Sequence, residues 1–243
     1  MRSPAASRWL VLLAALLAAA LTARLGFWQL DRARQKIALH DEIEQRGAQA
    51  PIAAADLARD SDTAAQQHYR PIRVQGRWLS RHVVYLDNRQ LDGRPGFIVL
   101  TPLLLAPGDA VLVQRGWVPR DREQRTRLVP VDTPDGEVSI AGRVAPPPSA
   151  LFAMGSEEAG MIRQNVAVAD FAREIGVALR PLSIQQLEPP SAPTDLLQRR
   201  WPLPALDVGK HHGYAFQWFA LSALITGLYV WFQLIRPRRR AAR

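Results

Sequence analysis

The sequence contains no cysteine. That excludes a disulfide framework, a thiolate nucleophile and any Cys-ligated zinc or copper site. It leaves the compartment open, because an exported domain need not carry disulfides. The usual catalytic signatures are missing as well. There is no Gly-x-Ser-x-Gly elbow, no His-Glu-x-x-His pair and no Gly-rich phosphate loop. His40, His68 and His82 stand singly among charged residues, the setting of ordinary surface or strand histidines. A membrane-anchored enzyme would need a catalytic constellation within residues 29–210, and the sequence offers none.

Acidic residues are absent from 1–28 and from 211–243. The formal charge of +9 invites a nucleic-acid reading, but its distribution argues against one. Arg2 and Arg8 precede the first apolar run, and Arg236, Arg238, Arg239, Arg240 and Arg243 follow the last. These seven arginines account for all but two units of the net charge. Basic residues flanking apolar runs follow the positive-inside pattern, which places both termini in the cytoplasm.

Two apolar runs organise the chain. Residues 9–28, from Trp9 to Trp28, form a Leu/Ala/Val stretch interrupted by Arg24 and bracketed by tryptophans. It is long enough for a span, with Arg24 able to snorkel outward. A cleaved signal peptide is the rival reading, supported by small residues near Ala20 and Ala23. Gly213 to Ile235 is 23 residues without a charge, a helix of roughly 34 Å against a hydrocarbon core of about 30 Å. The expected organisation is a cytoplasmic N-terminus (1–8), a span (9–28), a periplasmic domain (29–210), a second span (213–235) and a basic cytoplasmic tail (236–243).

Charges at helical spacing over 29–48 predict that the first helix continues beyond the membrane. Ala50 to Gln67 reads as a polar loop or short helix. Strands are predicted at Ile72–Trp78, from its period-two alternation, and at Val83–Leu86, Phe97–Leu105, Ala110–Trp117 and Glu137–Val144. A turn at Pro107-Gly108 makes Phe97–Leu105 and Ala110–Trp117 a hairpin, while Asn88–Gly96 reads as a loop. Arg163–Val168 reads as a short strand, Val168–Ile175 as a helix stopped by Gly176, and Arg180–Leu187 as a last strand. Pro189–Pro204 is a Pro-rich connector. The fold class is α+β: two transmembrane helices flanking a strand-rich domain, a mostly antiparallel sheet or small barrel with a few helices.

Two short patches are distinctive, Asp87-Asn88-Arg89 and Arg115-Gly116-Trp117-Val118-Pro119. Gly116 beside Trp117 suggests a bulge or a close backbone approach. The simplest reading has Trp117 in the core and Arg115 or Arg89 paired with Asp87. At the second span, His211, Tyr214 and Trp218 fall at i, i+3 and i+7, one face of a continuing helix. A neutral imidazole ligates haem iron, and a membrane can hold an apolar macrocycle. The same residues also suit an interfacial aromatic belt with histidine at the helix start, so both readings stay open.

Five stretches in this order resemble the Surfeit-locus family of cytochrome c oxidase assembly factors, of the bacterial Surf/Shy type. They are Gly26-Phe27-Trp28-Gln29-Leu30-Asp31-Arg32 with Lys36; Arg70-Pro71-Ile72-Arg73-Val74-Gln75-Gly76; Leu86-Asp87-Asn88-Arg89; Val113 to Pro119; and His211-His212-Gly213-Tyr214-Ala215-Phe216-Gln217-Trp218. The resemblance implies a non-enzymatic chaperone of the respiratory chain in the cell inner membrane. It would bind haem A transiently and promote its insertion into, or stabilisation in, oxidase subunit I. It implies His211 as axial ligand to haem iron, with His212, which stands where an apolar residue is expected, as a competitor. By their spacing on the helix Tyr214 and Trp218 would border that haem, and by its depth near the outer end of the first span Arg24 would neutralise a propionate. The implied partners are subunit I, haem A synthase and membrane lipid. The alternative is a scaffold that stabilises a subunit I intermediate without binding haem.

Overall fold

The computed structural model describes residues 4–121, 123–124, 126–150, 160–187, 195–202 and 207–237. The expected basic tail beyond 237 and half of the Pro-rich connector, 189–194 and 203–204, lie outside the described residues. The chain gathers into two compact units, Met1–Glu42 with Pro204–Arg243, and Ile43–Leu203.

The first unit is helical. Helix α1 (Pro4–Gly47) runs for 44 residues, roughly 66 Å, because Leu and Ala are strong helix formers and no proline interrupts it until Pro51. The apolar run and the charged stretch after it are therefore one helix, as the charge spacing predicts. The helix that returns in the first unit, α4 (Val208–Tyr229), passes into a π-helical stretch, Val230–Ile235. Both α1 and α4 are long and apolar enough to cross a membrane. Because α4 starts at Val208, His211 and His212 lie inside the helix rather than at its first residue.

The second unit is a mixed eight-stranded sheet with two short helices. Its elements are β1 (Ile52–Ala53), α2 (Ser61–Gln67), β2 (Pro71–Trp78), β3 (Val84–Leu91), β4 (Arg94–Ala106), β5 (Asp109–Pro119), β6 (Glu137–Ala145), β7 (Ile162–Arg163), α3 (Val168–Ile175) and β8 (Ala178–Gln186). The order is β1-β2-β6-β8-β5-β4-β3-β7. The antiparallel expectation is corrected here, since β1–β2, β3–β7 and β5–β8 pair in parallel. The cause is topological. Strand β8 is inserted between β6 and β5, which run in opposite directions, so pairing antiparallel with β6 makes it parallel to β5.

Strand β2 also pairs with β4, at Arg77↔Leu104 and Trp78↔Leu103, which closes β2-β6-β8-β5-β4 into a ring. All five strands feed one core of Ile72, Val74, Trp78, Leu103, Val111, Val113, Ile140, Val144, Leu182 and Ile184. On β2 the alternation is as the sequence predicts, with Ile72, Val74 and Trp78 buried while Arg73, Gln75 and Arg77 are exposed. Each fully buried aliphatic side chain contributes about 1.5–3 kcal/mol. A second cluster joins Val84, Leu86, Leu100 and Leu112 of the sheet to Phe171 of α3. Gly176 ends α3 at φ +68°, a left-handed cap that suits glycine.

The predicted loop Asn88–Gly96 is a second correction. Strands β3 and β4 pair through it, and only Asp92 (φ +51°) and Gly93 (φ +72°) turn. Asp-Gly with both φ positive is the favoured two-residue hairpin turn, so the composition that reads as loop is a tight turn between paired strands.

Candidate functional site

The helix pair brings together residues far apart in sequence. Gly26 of α1 faces Phe219 of α4, where an added Cβ would lie 2.7 Å from the ring. Phe27 meets Phe219 edge to face at 5.1 Å. Ser222 Oγ donates to the Ala19 carbonyl at 2.9 Å. At the other end of the seam, His211 Nδ1 and Gln29 Oε1 are 2.7 Å apart. Rising numbers on α1 meet falling numbers on α4, so the helices run antiparallel. Small residues permit the close approach, and the Ser222 and Gln29 side chains join the two helices by hydrogen bonds.

His211 is half-buried on this seam, and Trp218, seven residues on, is also half-buried on the same stripe. Tyr214 lies on the edge of that stripe and is 52% exposed. His212 is exposed, about 100° around the helix from His211. Arg24 is exposed and stands about 200° around α1 from Gly26, on the side away from the seam. The structure thus gathers His211, Trp218 and Tyr214 and leaves Arg24 and His212 outside.

The residue that sequence reading missed is Gln29. It stands in the first of the resembling stretches, just past the apolar run, where Thr22, Gly26 and Gln29 recur at helical intervals and so share a face.

In the second unit the two distinctive patches meet. Each is a bulge beside β4. On β3 the register jumps between Leu86 and Arg89, with Asn88 at φ +58° and Asp87 Oδ1 accepting the Asn88 N–H at 2.7 Å. On β5 the register passes from Gln114 to Gly116 opposite Leu100 and Val99, so Arg115 is the extra residue. The suggested bulge and close approach both occur. Trp117 and Gln198 exchange backbone hydrogen bonds at 2.8 and 2.9 Å, and a Cβ on Gly116 would lie 2.8 Å from Leu197. Trp117 Nε1 donates to the Arg89 carbonyl at 2.9 Å and ties the two bulges together.

The expected ion pairs are rearranged. Asp87 receives Arg120, whose guanidinium also lies 5.6 Å from the Phe97 ring centre. Arg89 donates to the carbonyls of Ser149 and Gln164, each at 2.9 Å. Arg115 donates to Thr133 Oγ1 at 2.8 Å and the Asp132 carbonyl at 2.6 Å, stacked 4.6 Å from the Trp78 ring. Burial lowers the pKa of both guanidinium groups, yet arginine remains charged at neutral pH. This node fastens backbone segments. A crevice beside it, lined by Val118, Val129, Val131, Asp132, Asp195 and Leu197, encloses about 140 Å³. That is below the usual size of a cofactor pocket.

The model of the SURF1 family matches residues 16–223. A SURF1-like protein of Drosophila melanogaster is 33% identical over 53% of this chain and 47% of its own length. A SURF1-like protein of Rickettsia prowazekii is 24% identical over 85% of this chain and 82% of its own. The yeast protein named cytochrome oxidase assembly protein SHY1 is 26% identical over 40% of this chain and 25% of its own. The chain thus spans about half the length of the Drosophila relative, and most of the bacterial one.

Proposed function

Because the chain belongs to the SURF1 family, we propose that it is a non-enzymatic membrane assembly factor for haem-copper cytochrome c oxidase, with haem A as its cargo. The oxidase role is supported by family membership and by the name of the yeast relative. The haem role is supported by one observation, a half-buried imidazole, His211, on the seam of two apolar helices. A haem requires one imidazole and apolar walls rather than a chelating cluster. Among the described residues no group of three His, Cys, Asp or Glu could hold an ion, so a single axial ligand is the arrangement these residues suit.

In this reading His211 holds the iron, while Trp218 and Tyr214 border the ring. Haem A, when bound, is cargo whose redox chemistry belongs to the oxidase. The helix pair keeps that insoluble group out of bulk lipid, and handover to subunit I requires only tighter binding there. Arg24 faces away from His211 and is not needed for the site. The arginines flanking both apolar runs support the part of this reading that has both termini in the cytoplasm and the chain in a bacterial inner membrane, with the sheet unit periplasmic and available to subunit I and haem A synthase.

The test is the absorption spectrum of the full chain, purified in detergent after co-production with a haem A source. A stoichiometric haem A band that persists in His212→Ala and disappears in His211→Ala is expected. No band in the unaltered chain, with abundant haem A in the membranes, overturns the haem role and leaves the subunit I scaffold.

A further inference from the structure

We infer that Gln29 is the positioning residue of His211, fixing the imidazole in the Nδ1–H tautomer so that Nε2 keeps its lone pair for a ligand. The purpose rests on the haem reading above, but the geometry does not. Gln29 Oε1 lies 2.7 Å from His211 Nδ1, a normal hydrogen-bond distance, in a part-buried setting. A carboxamide oxygen only accepts, so with Oε1 turned toward the ring the pair is hydrogen-bonded when Nδ1 carries the proton. A neutral imidazole has one such proton, and its other nitrogen is then an acceptor.

The bond depends on helix separation. Gly26 is one turn from Gln29 on the same face and lies directly against Phe219. A residue with a side chain there would push α4 away and break the contact. The glycine therefore sets the distance that the glutamine uses. Glutamine also meets the requirement without placing a charge on an apolar seam, where an unpaired carboxylate is costly. Residues that hold the distal ring nitrogen of a metal-binding histidine orient the ring, set its tautomer and raise its basicity. Gln29 is placed to do this for His211 and for none of the other histidines, since His212 points elsewhere on the helix.

The experiment has two arms. In the first, the full chain carrying ¹⁵N-histidine is studied by NMR in detergent without haem, with the His211 signals assigned by their loss in His211→Ala. The expected pattern is Nδ1 protonated and Nε2 bare. Gln29→Leu, which keeps the seam apolar, is expected to move His211 toward the Nε2–H tautomer that an unconstrained imidazole prefers. Gln29→Glu, whose carboxylate also accepts from Nδ1 but favours the doubly protonated ring, is expected to keep Nδ1 protonated and, once the ring is neutral at higher pH, to show Nε2 bare. An Nε2–H signal in the unaltered chain, or no change in Gln29→Leu, overturns the inference.

The second arm titrates haem A into the same proteins. Gln29→Leu is expected to weaken binding by tenfold or more, with Gln29→Glu close to the unaltered chain. Equal binding by Gln29→Leu and the unaltered chain overturns the positioning role while leaving the haem reading intact. Absence of haem binding in every protein, together with the expected tautomer shift, sinks the haem reading and leaves Gln29 as the residue that orients His211.

Discussion

Replacing Asp109 with alanine should destabilise the sheet unit more than replacing its partner does. Asp109 opens β5, and its carboxylate takes two hydrogen bonds from Arg180 of β8, Nε to Oδ1 at 2.7 Å and Nη2 to Oδ2 at 2.6 Å. The side chains are 18% and 5% exposed. Arg180 also donates to the Leu57 carbonyl, so it pins the segment before α2 to the sheet. Asp109→Ala leaves a buried guanidinium without its carboxylate. Breaking one side of a buried pair costs about 3–5 kcal/mol. For a unit of this size that lowers the melting temperature by roughly 10 °C. Arg180→Met removes the cation itself and loses the Leu57 bond, at about 1–3 kcal/mol, while Asp109 keeps the exposed Arg59 at 3.3 Å. The double variant should resemble Arg180→Met alone. The assay is a melt of the full chain in detergent followed by near-ultraviolet circular dichroism, with the four proteins forming a double-mutant cycle. Strictly additive costs would refute the reasoning, because they would mean that Arg180 is indifferent to losing its carboxylate.

The same pair has an acid signature. The hydrogen bond from Arg180, with its charge and that of Arg59, holds the Asp109 carboxyl below its usual range despite partial burial. A carboxyl whose folded pKa lies below its unfolded value stabilises the fold at neutral pH and loses that contribution as pH falls through the folded value. The unaltered chain should therefore lose stability below about pH 4 more steeply than Asp109→Ala does, measured as melting temperature against pH. Gly26→Leu should separate α1 from α4. In a chain without native cysteine, Ala19→Cys with Ser222→Cys should cross-link on oxidation, and adding Gly26→Leu should reduce the yield sharply. Gly116→Val should unseat residues 197–198 from β5 at a cost of about 1–3 kcal/mol, because its side chain would overlap Leu197. Limited proteolysis near 195–202 checks this, and an unchanged cleavage rate would count against the close approach.

Local features were legible where the cause is local. Charge placement and long apolar runs gave both long helices, because helix length depends on neighbouring residues and on the absence of proline. Alternation gave β2, and glycine gave the end of α3, because each follows from side-chain direction or backbone freedom within a few residues. The Asn88–Gly96 stretch misled, because turn-forming composition does not distinguish a loop from a two-residue hairpin with a bulge beside it. The ion pairs around Asp87 misled for another reason. The bulges on β3 and β5 re-aim Arg89 and Arg115 toward carbonyl oxygens, and a bulge is a property of two paired strands.

The sequence by itself determined two membrane-length helices, a strand-rich unit between them, and His211, Tyr214 and Trp218 on one helical stripe. Tertiary structure alone decided that β8 lies parallel to β5, that β2 closes on β4, and that Gln29 reaches His211 from 182 residues away. Periodicity reports which face of an element is apolar. It carries no information about which distant face will meet it, and that choice is made only when close packing sets helix separation and strand register together.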